Sequence, residues 1–167
     1  GDEFEVGRLE DAPLVFRVVP GVYDVIYAYA SGVALPLNTH AVILANATFE
    51  SDATVMIDLE TVVHTVSATL DGTPFPASAY ERGEISLEAP ESGDVIDWGY
   101  TSAPAGFQRI LSGTYDVVYR HAAGNSIVPA NERATVATDL SIEPPSMPNE
   151  LSFSELDIES HALTLEV

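Results

Sequence analysis

The side chains in this sequence that could do chemistry are mostly carboxylates. Asp and Glu number 26 against six basic residues, all Arg, and the formal charge is -20. The acids gather at Asp2-Glu3-Glu5, Glu10-Asp11, Glu50-Asp52, Glu88-Glu91-Asp94-Asp97 and Glu155-Asp157-Glu159. Calcium takes about six to eight oxygens, often from a Gly-turned loop of alternating acids. None of these clusters has that spacing, so a solvated acidic surface is the expectation for all of them. Glu91-Ser92-Gly93-Asp94 is the best placed for a weakly held cation, with Glu91 and Asp94 as ligands. The four histidines, His40, His64, His121 and His161, lack the spacing of a local zinc site. With no Cys, disulfides, thiolate catalysis and Cys-ligated metal centres are excluded. No nucleophile elbow, phosphate-cradling Gly loop or dinucleotide fingerprint occurs. A pair of hydrolytic carboxylates is arranged in space and not in sequence; it would show as a cleft with two acids about 5–10 Å apart. None is expected. The chain is read as not an enzyme and as needing no cofactor.

The charge also sorts partners. So acidic a surface repels nucleic acid and anionic membrane, and six scattered Arg make no basic patch. High salt relaxes its self-repulsion, which suits a saline or extracellular setting. No apolar run approaches the ~18–20 residues of a membrane-spanning helix. No leader opens the sequence, so export would imply a signal segment outside this chain.

What positions these residues is an internal repeat. Arg17-Val-Val-Pro-Gly21-Val-Tyr23-Asp24-Val-Ile-Tyr27 aligns with Arg109-Ile-Leu-Ser-Gly113-Thr-Tyr115-Asp116-Val-Val-Tyr119. The alignment extends to Gly1-Asp2 with Gly93-Asp94, Gly7 with Gly99, and Gly32 with Gly124. It continues to Pro36-x-Asn38 with Pro129-x-Asn131 and Ala41 with Ala134, and reaches Asp58-Leu59-Glu60 with Asp157-Ile158-Glu159. Such an order of Gly, Pro, Asn and Tyr-Asp-Val marks a duplication. The second copy has no counterpart of residues 69–92, so the copies are out of phase with whole domains. The expected division is a first unit at 1–60 lacking its first strands, a complete unit at 61–159, and an extra strand at 160–167 that could return to the first unit.

Apolar and polar residues alternate along both copies, which marks half-buried strands. Besides the repeated strand, candidates are 14–19, 41–49, 53–59, 62–70, 84–88, 94–100, 107–111, 133–142, 151–158 and 162–167. Helix should be nearly absent. Asp71-Gly72 reads as a turn leading into a Pro-rich loop more readily than as a tight hairpin. Tyr23, Tyr27, Tyr115 and Tyr119 fill one sheet face with their hydroxyls at its edge. Asp24 and Asp116 lie on the opposite face and are read as loop braces, with the P-x-N loop as partner. Asn38 and Asn131 are read as turn stabilisers. The expected fold is all-β: tandem immunoglobulin-like or transthyretin-like β-sandwich units, since each strand's apolar face must meet a second sheet.

His64 to Gly124 resembles the transthyretin-like or carboxypeptidase regulatory-like sandwich family. Leu70, Gly72, Pro74, Ala77, Gly99, Phe107, Leu111, Gly113 and Tyr115 carry the likeness, and Val19-Pro20-Gly21-x-Tyr23 is the fuller form of its Leu-Pro-Gly-x-Tyr element. The repeated strand with its Gly loop and P-x-N also resembles units of secreted proteins and lipoproteins of myxobacteria-like bacteria. These resemblances imply a non-catalytic structural or accessory module that is secreted, periplasmic or at the cell surface. The isopeptide crosslink of some surface sandwiches needs Lys, which is absent here. The alternative is loop-mediated binding of glycan, peptide or a weakly held cation, for which Trp98, Tyr100 and Phe75 would cluster exposed at one end. The partners expected are a protein or glycan at the cell surface, or a second copy joined through an open edge strand.

Overall fold

The computed structural model describes residues 4–32, 34–104, 106–124, 127–146 and 151–162. The fold is all-β, as its alternating sequence requires. Its strands are β1 (Gly21–Tyr27), β2 (Ala41–Phe49), β3 (Thr61–Leu70), β4 (Thr73–Pro74), β5 (Arg82–Ala89), β6 (Asp94–Tyr100), β7 (Ala103–Pro104), β8 (Gln108–Leu111), β9 (Gly113–Ala123), β10 (Ala134–Ile142) and β11 (Ser152–Ile158). Among the described residues helix is confined to one 3₁₀ turn, Leu9–Asp11. No helix there is long and apolar enough to cross a membrane.

Among the described residues the strands form three sheets: β1-β2, β10-β9-β5-β6-β7, and β11-β3-β4 with β8 also beside β3. Strand β11 runs parallel to β3, whereas the other pairs are antiparallel. One core joins the second and third sheets. Val62, Val66 and Leu70 of β3 meet Leu87 of β5, Ile96 and Trp98 of β6, and Tyr115, Val117 and Tyr119 of β9. A smaller cluster of Tyr27, Ala41 and Leu111 lies where the first copy meets the second.

The duplication is structural as well as sequential. β1 pairs with β2 as β9 pairs with β10: Gly21 faces Phe49 as Gly113 faces Ile142, and Tyr27 faces Ala41 as Tyr119 faces Ala134. The register breaks also coincide, after Tyr23 and Val25 in one pair and opposite Ala137 in the other. The surroundings differ. Strand β9 has β5 on its second edge, while the same edge of β1 is unpaired among the described residues.

That difference explains two expectations that fail. Residues 53–59 and 14–19 form no strand. Their counterparts in the second copy, β11 and β8, both pair with β3. The described part of the first copy contains no strand equivalent to β3, so 53–59 and 14–19 have no ladder to join. Val15 and Met56 are correspondingly exposed. The Asp71-Gly72 expectation also needs correction. These two residues make a tight hairpin from β3 into β4, both with positive φ (51° and 74°), the combination a twisted two-residue hairpin turn demands. The short strand β4 reaches only to Pro74, which is why the sequence looked like a loop. Of the proposed extra strand at 160–167, residues 163–167 lie outside the described residues. Ser160 binds Asp71 through its amide N–H (2.7 Å) and its hydroxyl (2.6 Å).

Candidate functional site

The repeated strand is a set of braces. Tyr115 donates its hydroxyl to the Leu111 carbonyl at 2.8 Å, and Tyr23 donates likewise to Val19. Tyr27 and Tyr119 donate to the carbonyls of Pro36 and Pro129 at 2.8 and 2.9 Å. The second tyrosine of each motif therefore holds the P-x-N loop. Burial pushes the Tyr119 hydroxyl up to about 12, so it remains a donor at any ordinary pH.

Asp24 and Asp116 do brace backbone, but the partner differs from the P-x-N loop expected. Asp24 Oδ1 accepts the N–H of Asn46 at 2.7 Å, and Asp116 Oδ1 accepts that of Asp139 at 3.1 Å. Asn46 and Asp139 are equivalent residues at the bulges of β2 and β10, with φ of 54° and 55°. A left-handed residue within a strand loses its ladder partner, and the carboxylate opposite supplies one.

The densest polar cluster lies at the junction of the two copies, and Asn38 is its centre. Its side chain is buried, at 1% exposure. Oδ1 accepts the Leu111 N–H at 2.8 Å, and Nδ2 donates to Asp94 at 2.5 Å and to the Tyr115 hydroxyl at 3.0 Å. Asp94, equally buried, also accepts the N–H groups of Thr39 (2.6 Å) and His40 (2.8 Å) and the Thr39 hydroxyl (3.2 Å). The loop 38–40 of the first copy thus folds around a carboxylate of the second. Two backbone bonds flank it, Leu37 N–H to Arg109 O at 2.9 Å and Ser112 N–H to Glu60 O at 3.0 Å. Burial is the main force raising the Tyr115 hydroxyl, with the nearby Asp94 adding to it against the Asn38 bond.

In the sequence alone Asn38 reads as a local turn residue and Asp94 as half of a cation loop. Asp94 is neither exposed nor free: both carboxylate oxygens are engaged by protein donors, while Glu91 is exposed on the preceding turn. Among the described residues no group of three or more His, Asp or Glu could hold a metal ion. The link was hinted at only by the repeat, which aligns Asp94 with Asp2 and Asn38 with Asn131. Asn131 keeps the same backbone bond as Asn38, since His121 N–H binds its carbonyl as Tyr29 N–H binds that of Asn38, both at 2.8 Å. Its side chain, however, is exposed.

The three aromatics proposed as an exposed cluster part company. Trp98 (1% exposed) and Phe75 (7%) are core residues. Trp98 meets the buried His64 edge to face with ring centroids 5.9 Å apart, and Phe75 stacks on Tyr119 at 6.3 Å. Trp98 occupies an inward position of the period-two pattern of β6, which the repeat alignment does not reveal because Val6 stands opposite it, and Phe75 enters the core just after β4. Tyr100 alone reaches solvent, with the Arg82 guanidinium 3.7 Å from its ring centre.

A shallow depression lined by Glu88, Asp94, Asp116 and Arg133 collects three carboxylates. Each already has a partner within the fold. Glu88 binds Arg120 and Arg133 at 2.7 Å each, and although burial pushes its carboxyl up, the two guanidinium groups hold it below the usual range. Asp94 is held by the 38–40 loop and Asp116 by Asp139. The strongest arrangement in the molecule is therefore a junction, with polar groups that fix one copy against the other. No family model matches this chain, and no characterised protein or solved structure matches it significantly.

Proposed function

We propose that the chain is a structural, non-catalytic repeat of an exported or cell-surface protein, whose two copies act as a stiffly joined spacer. In this reading each copy belongs to an immunoglobulin-like or transthyretin-like sandwich. For the second copy, support comes from two sheets facing one core; for both copies it comes from the first motif tyrosine bonding the carbonyl four residues back, as the tyrosine corner of such sandwiches does. The observation that carries the function is the buried Asn38–Asp94 lock. A polar network with every member bonded is costly to break and tolerates one geometry, so it favours a fixed angle between units over a hinge. The charge of -20 supports exposure to solvent without aggregation.

The test is solution scattering with spin-label distances between exposed Thr48 and Tyr80, one in each unit. One narrow distance is expected for the wild type, and a broad one for Asp94→Ala. A broad wild-type distribution would remove the spacer reading. The exposed Tyr100–Arg82 plate favours the second reading, loop-mediated binding of a glycan or peptide. A glycan or peptide retained by the wild type and lost on Tyr100→Ala would move the assignment there.

A further inference from the structure

The junction between the copies joins two unlike surfaces, a hook and a socket. The hook is the loop 36–40 of the first copy. The socket is the Leu111 N–H, the Tyr115 hydroxyl and Asp94 of the second. Such a contact is heterologous, so it leaves an unused hook at one end and an unused socket at the other.

Both are present. The second hook is the loop 129–133. Tyr119 holds Pro129 as Tyr27 holds Pro36, and the Asn131 carbonyl is bound as that of Asn38 is. Its backbone is therefore already shaped. Yet Asn131 is exposed, with no side-chain hydrogen bond among the described residues. Ile127, just before it, is 58% exposed. Glu132 and Arg133 replace Thr39 and His40, but the backbone N–H groups that grip the socket carboxylate do not depend on side chains. In the second socket Val19 stands for Leu111 and Tyr23 for Tyr115, and the hydroxyl-to-carbonyl bond between them is the same. Asp2, which aligns with Asp94 in sequence, lies outside the described residues. Leu111 is 8% exposed because Tyr27 and Ala41 cover it; Val19, uncovered, is 77% exposed.

We propose that the Asn131 loop of one chain docks in the Val19–Tyr23 socket of a second copy, head to tail, repeating the internal junction. The contact extends the spacer reading and rests on it. It competes with mutual repulsion of two chains of charge -20, so salt promotes it.

Sedimentation of the full chain tests it, from about 10 to 500 µM, in about 20 mM and 500 mM NaCl. Association is expected at high salt. Asn131→Ala and Val19→Asp each weaken it by about tenfold or more, the effect of losing one well-bonded or well-packed contact. Both residues are exposed, so both variants keep the wild-type melting temperature. The decisive arm mixes the two variants in equal amounts. One good hook and one good socket then remain, so dimers form and growth stops there. A chain that stays monomeric at high salt overturns the proposal. So does association that neither variant weakens, which would assign the contact to the open edge of β1. Failure of the spacer reading shows separately, as a broad distance distribution in monomers at low concentration.

Discussion

Asn38→Ala should be among the most damaging single changes at the junction, and Asn131→Ala, at the equivalent repeat position, should leave the stability of the monomer unchanged. Truncating Asn38 removes the acceptor of the buried Leu111 N–H. A buried unsatisfied donor costs about 1–3 kcal/mol. Asp94 loses one bond but keeps three others, from Thr39 N–H, Thr39 hydroxyl and His40 N–H. Tyr115 keeps its bond to Leu111. Adding about 1 kcal/mol for the lost charged bond gives about 3 kcal/mol in all. For a chain of this size that is about 6–12 °C in melting temperature. Asn131→Ala removes nothing buried and should stay within about 0.5 kcal/mol. Urea unfolding followed by the fluorescence of the single tryptophan, Trp98, reports the second copy directly, and calorimetry reports the whole chain. Equal effects from the two substitutions, or a cost below about 1 kcal/mol for Asn38→Ala, would refute the reasoning.

Gly83→Ala places a Cβ 2.0 Å from the Tyr119 ring, which is pinned by its bond to Pro129 and its stacking on Phe75; a loss of about 2–3 kcal/mol is expected, and a urea midpoint within error of wild type would contradict it. Asp139→Val puts a β-branched residue at φ 55° and should cost about 1–2 kcal/mol, whereas Asp139→Gly should be nearly neutral; the pair of thermal melts separates backbone strain from side-chain loss. His64 is held below its ordinary pKa by burial, so in acid the unfolded chain binds the extra proton first. Its contribution is therefore complete above about pH 6.5 and is lost as pH falls towards the folded value. Unfolding free energy of wild type minus that of His64→Leu should fall over that window, and curves parallel from pH 8 to 5 would dismiss the effect.

Much of the architecture was legible in the residues. The paired Gly-x-Tyr-Asp-Val-x-Tyr stretches identified the duplication, and their period-two alternation identified strands whose register proves equivalent between copies. Asp24 and Asp116 could be read as braces because a carboxylate on a half-buried strand must find a backbone partner, whereas the tyrosines read as core, and the bonds of their hydroxyls to remote carbonyls came only with the fold. Local signals failed where the partner is remote. Residues 53–59 alternate as well as β11 does, but a strand needs a neighbour, and only the second copy supplies one. Trp98 looked like a surface residue because it broke the repeat, and packing against His64 shows why the second copy alone has a bulky ring there.

The sequence by itself determined most of the strands, the duplication and the acidic surface, because each depends on composition and spacing along the chain. Tertiary structure decided which polar residues matter. Asn38 and Asn131 are the same residue type in the same local loop, yet one is buried across three bonds and the other faces solvent. The physical reason is that an amide gains its value from the donors and acceptors brought to it, and at Asn38 those come from residues more than fifty positions away.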